Sequence, residues 1–155
     1  MSGPEFHILL VEDNADHAEL LRRNLESAPF ACRLHQVEDG ESALDYIFGR
    51  KHFSDRAQFP APQLVLLDLR LPRLDGMEVL RHVKGDARHR DLPVVVLTTS
   101  DAEGDLDTAI RLQANRFLTK PVDGAMLTQL IHTLGIVREN LPAAASPSST
   151  EFPRA

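Results

Sequence analysis

Gln63–Gly76, QLVLLDLRLPRLDG, is the stretch that decides the fold. Four apolar residues, Leu64 to Leu67, run directly into an acid, Asp68. An unbroken apolar run this short suits a strand buried on both faces, as in a parallel sheet, although a buried helix segment presents a similar pattern. The flanks favour the strand. Pro60 and Pro62 bound the run upstream, and Pro72 and a helix start at Asp75-Gly76 bound it downstream. Open α/β sheets place their chemistry at the carboxyl ends of their strands, which makes Asp68 the candidate reactive group.

Working outward, Phe6–Val11 (FHILLV) reads as a first strand ending in Glu12-Asp13. Asn14 or Asp16 can cap the helix that follows, with Ala18, Leu21 and Leu25 at helical spacing. Phe30–Val37 carries a second strand, and Asp39-Gly40 turns the chain into a short helix, Glu41–Phe48. Gly49–Pro62 is polar, basic at its start and proline-rich at its end, and reads as a long surface loop. After Asp68, Asp75-x-x-Glu78 resembles a capping box, with Met77, Leu80 and Val83 inward. Pro93–Leu97 is the next buried strand, followed by Thr98-Thr99-Ser100. Ser100-x-x-Glu103 is a second capping signal, for a helix with Leu106, Ala109 and Ile110 on its apolar face. Arg116–Thr119 is a short strand ending in Lys120-Pro121. The last helix spans about Asp123 to Asn140, with Met126, Leu127, Leu130, Ile131, Leu134 and Val137 inside. Residues 141–155 are Pro/Ala/Ser-rich, bury little apolar surface and are expected to be a disordered tail.

Strand and helix thus alternate five times, which implies parallel strands with helices on both faces. Right-handed crossovers leave few topologies. The expected fold is α/β, a doubly wound five-stranded parallel sheet in the order 2-1-3-4-5, with its crevice between the first and third strands. Glu12, Asp13 and Asp68 should meet there.

The 155 residues, 43% hydrophobic and 26% charged, suit one globular domain with a sizeable core. A net charge of −6 argues against general nucleic-acid or membrane-surface binding. The single Cys32 excludes an internal disulfide framework, and no apolar run approaches the roughly 20 residues that span a bilayer. No signal peptide is evident at the start, so a cytoplasmic location is expected. The seven histidines show no zinc-binding spacing, and no dinucleotide or P-loop glycine motif is present.

Three packed acids repel one another unless a cation intervenes, and such oxygen donors suit Mg²⁺, which favours one or two carboxylates, waters and a phosphate oxygen. The fourth strand ends in a hydroxyl, Thr98, and the fifth in an ammonium, Lys120. Carboxylates, metal, lysine and hydroxyl together suit phosphoryl transfer, with Asp68 as a covalent nucleophile. Taken singly, each has a structural reading: Glu12 and Asp13 as turn residues, Thr98 as a helix-start hydroxyl, Lys120 as a surface charge. The coincidence of four strand ends carries the argument.

In this order, LVEDN (Leu10–Asn14), LLDLRLPRLDG (Leu66–Gly76), PVVVLTTS (Pro93–Ser100) and FLTKP (Phe117–Pro121) resemble the signature blocks of receiver domains in bacterial two-component response regulators. The resemblance implies a flavodoxin-like (βα)5 receiver domain over residues 5–140, in a signalling protein rather than an enzyme. It further implies that Asp68 accepts a phosphoryl group from a phosphohistidine on a sensor histidine kinase. Glu12 (through water), Asp13, Asp68 and the backbone carbonyl of Arg70 would hold Mg²⁺. Lys120 would pair with Asp68 and then with the phosphoryl group, Thr98 and Phe117 would act as the switch, and Arg70 and Ser100 would tune the lifetime of the acyl phosphate.

The long 49–62 segment, VVVLTTS and the absence of an output domain make the chain similar to single-domain regulators that partner phytochrome-type kinases. Many of those dimerise through the fourth helix, fifth strand and fifth helix. Gln113 and Arg116 stand where many receivers have glycines, so the turn into the fifth strand should differ. A pseudo-receiver that takes no phosphate is the alternative, but such domains typically lack the acid pair, the acceptor or the lysine, all present here. Aspartyl-phosphate hydrolases of the haloacid-dehalogenase type need a second acid two residues after the nucleophile, where this chain has Arg70.

Overall fold

The structure is a computed structural model describing residues 6–28, 31–71, 73–98, 103–120 and 122–134. Its strands are β1 (Phe6–Val11), β2 (Cys32–Val37), β3 (Leu64–Asp68), β4 (Val94–Thr98) and β5 (Arg116–Thr119). Between and after them run α1 (Ala15–Glu26), α2 (Gly40–Phe48), α3 (Gly76–Lys84), α4 (Glu103–Arg111) and α5 (Gly124–Thr133). All pairings are parallel, in the order β2-β1-β3-β4-β5. This is the doubly wound order expected from the alternation of elements.

Every residue of Leu64–Asp68 is buried, as an apolar run at the centre of a two-faced sheet requires. Successive side chains of a strand point to opposite faces, so the sheet divides its apolar residues between two cores. Ile8, Leu10, Leu66 and Leu97 pack with Leu21 of α1 and Leu127 and Ile131 of α5. Leu9, Val11, Val65, Leu67 and Val96 pack with Ile47 of α2, Leu80 of α3 and Ala109 of α4. Each fully buried aliphatic side chain of this kind contributes about 1.5–3 kcal/mol relative to exposure.

The helix starts are fixed by side-chain caps. Asn14 accepts from the His17 N–H, Asp39 from Ser42, Asp75 from Met77 and Asp123 from Ala125. At α3 the Asp75 carboxylate serves alone, since Glu78 instead lies 3.6 Å from Arg81. The capping signal at Ser100, the side chain of Leu106 and the chain beyond Leu134, including Val137 and the 141–155 tail, lie outside the described residues.

One expectation needs correction. Met126, placed inside by its apolarity, is 56% exposed. The buried stripe of α5 runs through Leu127, Leu130 and Ile131, and Met126 sits about 100° around the helix from Leu127. The 49–62 segment is a surface loop, as expected, and it is anchored to α2. A short 3-10 turn at Lys51–Phe53 brings the Phe53 ring to 5.0 Å from Tyr46, and Phe59 lies 6.0 Å from the same ring. Arg56 fastens it by donating to the carbonyls of Ile47 (2.9 Å) and Phe59 (3.1 Å). At the turn into β5, Gln113 takes a left-handed φ of 71°, the conformation a glycine would adopt without strain.

Candidate functional site

Glu12 and Asp13 follow β1 directly, and Asp68 closes β3, its neighbour in the sheet. The register pairs Val11 with Leu67, so the three acids emerge side by side at the carboxyl edge. Ligand oxygens of Glu12, Asp13 and Asp68 all lie within 4.8 Å of one another. Glu12 is 1% exposed and Asp68 6%, whereas Asp13 is exposed to the cleft. The open mouth beside them is lined by Asp13, Arg70, Arg73, Asp75 and Met77.

Lys120, just past β5, reaches across β4. Its Nζ lies 2.7 Å from Asp68 Oδ2 and 2.8 Å from Glu12 Oε1. The Lys120 N–H donates to the Thr98 carbonyl (2.8 Å), which fixes the end of β5 against the end of β4. The Arg70 N–H donates to Asp68 Oδ1 at 2.9 Å. Asp68 is thus held by both oxygens, next to the cleft that Asp13 and Arg70 line.

Burial pushes the Glu12 carboxyl above its ordinary 4.5, and the neighbouring Asp68 charge adds to the rise. Hydrogen bonds from Lys120 and from the Asn14 N–H offset part of it. Burial works against the Lys120 ammonium, but its hydrogen bonds to Asp68 and Glu12 outweigh that and lift it above its ordinary 10.5. A single cation serving crowded acids is a donor set that a hard divalent ion fits, with carboxylate oxygens and room for water on the Asp13 side.

Thr98 ends β4 beside Thr119 of β5, and Phe117 sits opposite Val96, half-buried against the α2–α4 core. Arg70 is exposed at the cleft. Ser100 lies outside the described residues. One neighbour went unread in the sequence: His17 Nδ1 lies 3.3 Å from Lys120 Nζ and 3.7 Å from Glu12 Oε2. Its only signal was position, four residues after Asp13 in the first turn of the helix that starts at the crevice.

Residues 8–132 match the family model of the response regulator receiver domain. The chain belongs to this family. The receiver domain is 47% identical over 117 residues to the probable methanogenesis regulatory protein FilR2 of Methanothrix harundinacea, covering 76% of this chain and 73% of that protein. It is 35% identical over 146 residues to the response regulator Rcp1 of Synechocystis, covering 92% and 97%. A crystal structure of Rcp1 in its Mn²⁺-bound form superposes with a TM-score of 0.74 at 34% identity, over 90% of this chain and all of that one. The bacteriophytochrome response regulator AtBRR superposes with a TM-score of 0.77 at 41% identity, over 89% of this chain and 99% of that one. The receiver is therefore a two-component signalling protein similar to bacteriophytochrome response regulators, in a family typically phosphorylated on an aspartate by a histidine kinase. No described helix is long and apolar enough to cross a membrane.

Proposed function

We propose that Asp68 is the phosphoacceptor and that the transfer requires Mg²⁺ held by Asp13, Asp68, the backbone carbonyl of Arg70 and, through water, Glu12. The supporting observation is the Asp68 carboxylate itself, held between Lys120 Nζ and the Arg70 N–H with the Glu12 and Asp13 carboxylates gathered beside it. A carboxylate oxygen attacks the phosphorus of the donor phosphohistidine in line. The P–N bond breaks, the donor imidazole leaves with the electron pair, and an acyl phosphate remains on Asp68. A divalent ion held by these residues would supply positive charge to the phosphoryl oxygens. Lys120 exchanges the Asp68 carboxylate for a phosphoryl oxygen without leaving its place beside Glu12.

The acyl phosphate carries roughly −1.5 to −2 charges where the carboxylate carried −1, so the site gains up to about one negative charge together with new acceptor oxygens. Thr98 and Phe117, diagonal neighbours in the β4–β5 pair, carry that change to the α4–β5–α5 face. Arg70 and Ser100 tune the lifetime of the adduct. The kinase is of the phytochrome type, a reading supported by the similarity to AtBRR, and the protein acts in the cytoplasm. Homodimerisation through α4, β5 and α5 belongs to the same reading. Sedimentation with and without a phosphoryl mimic tests it, and a monomer in both states removes it.

The deciding experiment is the intact mass after incubation with a small-molecule phosphodonor. A single adduct that disappears with chelator and in Asp68→Asn is the expected result. No adduct under any condition would instead make the domain a pseudo-receiver.

A further inference from the structure

A second group of metal-ligating side chains lies at the opposite end of the sheet. His7 Nδ1 and His35 Nε2 are 3.1 Å apart, with ring centroids at 5.3 Å and a tilt of 32°. The register brings them together: His7 aligns with Arg33 and Leu9 with His35, so the imidazoles are diagonal neighbours on the α2 face of the β1–β2 pair. Five residues separate His7 from Glu12, roughly 16 Å of strand.

Gln63 fixes the His7 backbone, and an aromatic cluster flanks the His35 ring. The His7 N–H donates to Gln63 Oε1 (2.9 Å), and its carbonyl accepts from the Gln63 N–H (2.8 Å). The His35 ring lies 5.7 Å from that of Tyr46, which the Phe53 and Phe59 rings pack against. Both histidines are half-buried, His35 on the edge strand β2 and His7 beside it on β1.

We propose that His7 and His35 form a binding site for a borderline divalent cation, Zn²⁺ or Cu²⁺, separate from the carboxylate site at Asp68. Two imidazole nitrogens on a tetrahedral Zn²⁺, each at about 2.0–2.1 Å, stand about 3.3 Å apart, and about 2.9 Å apart at a right angle. The observed 3.1 Å falls between these. Imidazole nitrogen suits Zn²⁺ and Cu²⁺, whereas carboxylate and carbonyl oxygens suit Mg²⁺, so the two sites sort ions by donor type. In the metal-free pair one ring donates and the other accepts. An ion takes a lone pair from each, which places the remaining protons on His7 Nε2 and His35 Nδ1. Water fills the other positions, making this an open and exchangeable site. Because the ion joins β1 to β2, its binding stabilises the folded sheet.

The test is calorimetric titration of the full chain with Zn²⁺, together with imidazole ¹⁵N NMR, for wild type, His7→Gln, His35→Gln and Asp13→Asn. One binding component should persist in Asp13→Asn and vanish in both histidine variants. The ¹⁵N signals of His7 and His35 should shift with Zn²⁺ and stay fixed with Mg²⁺. Zn²⁺ binding that is unchanged in the histidine variants, or lost only in Asp13→Asn, overturns the site. Should a variant fail to fold by far-UV dichroism, the wild-type ¹⁵N shifts decide. Mg²⁺-dependent labelling of His7→Gln should match wild type, so the site stands or falls apart from phosphoryl acceptance at Asp68.

Discussion

Lys120 Nζ sits 2.7 Å from Asp68 Oδ2, and the same ammonium is 2.8 Å from Glu12 Oε1, so one cation balances two buried carboxylates. Removing one partner of a buried ion pair costs about 3–5 kcal/mol, because the charge left behind is neither solvated nor matched. Lys120→Met should therefore lower the stability of the metal-free protein by about 3 kcal/mol in urea unfolding at pH 7. Mg²⁺ should restore part of that loss by supplying the missing positive charge. A variant as stable as wild type without metal would mean that the ammonium does not balance these acids.

Glu12 gives the site a pH dependence of definite sign. Its folded pKa is raised, first by burial and also by the Asp68 charge. The folded state therefore holds a proton that the unfolded chain releases at about 4.5, and stability falls as pH rises from there through the higher folded value. Glu12→Gln removes this titration. Without metal, the variant should be more stable than wild type at pH 7, with the gap closing as pH falls below 4.5. With Mg²⁺ the order should narrow or reverse, since the glutamine is a poorer partner for the ion. Thermal melts at several pH values, with and without Mg²⁺, check both limbs.

The acids were legible because a parallel sheet sends every strand end to one edge, so an acid after an apolar run carries a position as well as a charge. Asp68 after LVLL and Glu12-Asp13 after FHILLV needed no further information. Met126 was misread because α5 carries more apolar residues than one face can bury, and helical spacing alone does not choose the stripe. The 49–62 loop was legible as a loop, but its anchoring by the Phe53 and Phe59 rings was not, because its composition is mostly polar. Their partner Tyr46 lies in the preceding helix. The His7–His35 pair depends on the register of β1 against β2, which no local pattern reveals.

Gly76 links the start of α3 to the backbone of the acceptor. A Cβ there would stand 2.5 Å from the Asp68 carbonyl oxygen and 2.7 Å from the Leu69 Cα. The contact is with backbone, so neither neighbour can rotate away. Gly76→Ala should cost about 1–3 kcal/mol through overpacking and displace the Asp68–Arg70 segment. Weaker Mn²⁺ binding should accompany the loss of stability, since the Arg70 carbonyl is a proposed ligand. Loss of stability with unchanged Mn²⁺ affinity would separate the close packing at Gly76 from the metal site.

Lys84 ends α3 as an internal cap. Its Nζ donates to the carbonyls of Arg90 (3.0 Å) and Leu92 (2.9 Å) and to Asn115 Oδ1 (2.8 Å), and the same Asn115 oxygen accepts the Val94 N–H (2.8 Å). One ammonium thus ties the end of α3 to the start of β4 and to the turn before β5. Burial lowers its pKa below 10.5, with the Asp91 charge opposing the shift. Lys84→Met keeps the aliphatic stem but removes the ammonium from three acceptors, of which Asn115 Oδ1 keeps the Val94 N–H, and should cost about 1–3 kcal/mol. The unfolded chain binds the Lys84 proton more tightly, so wild-type stability gains from this group as pH rises through the lowered folded pKa toward 10.5. The methionine variant lacks that gain. Denaturant titrations should therefore show a deficit at neutral pH that widens near pH 10. Faster amide exchange at Val94 and Asn115 should accompany it. Full stability with unchanged exchange at those two amides would show that the three acceptors find other partners.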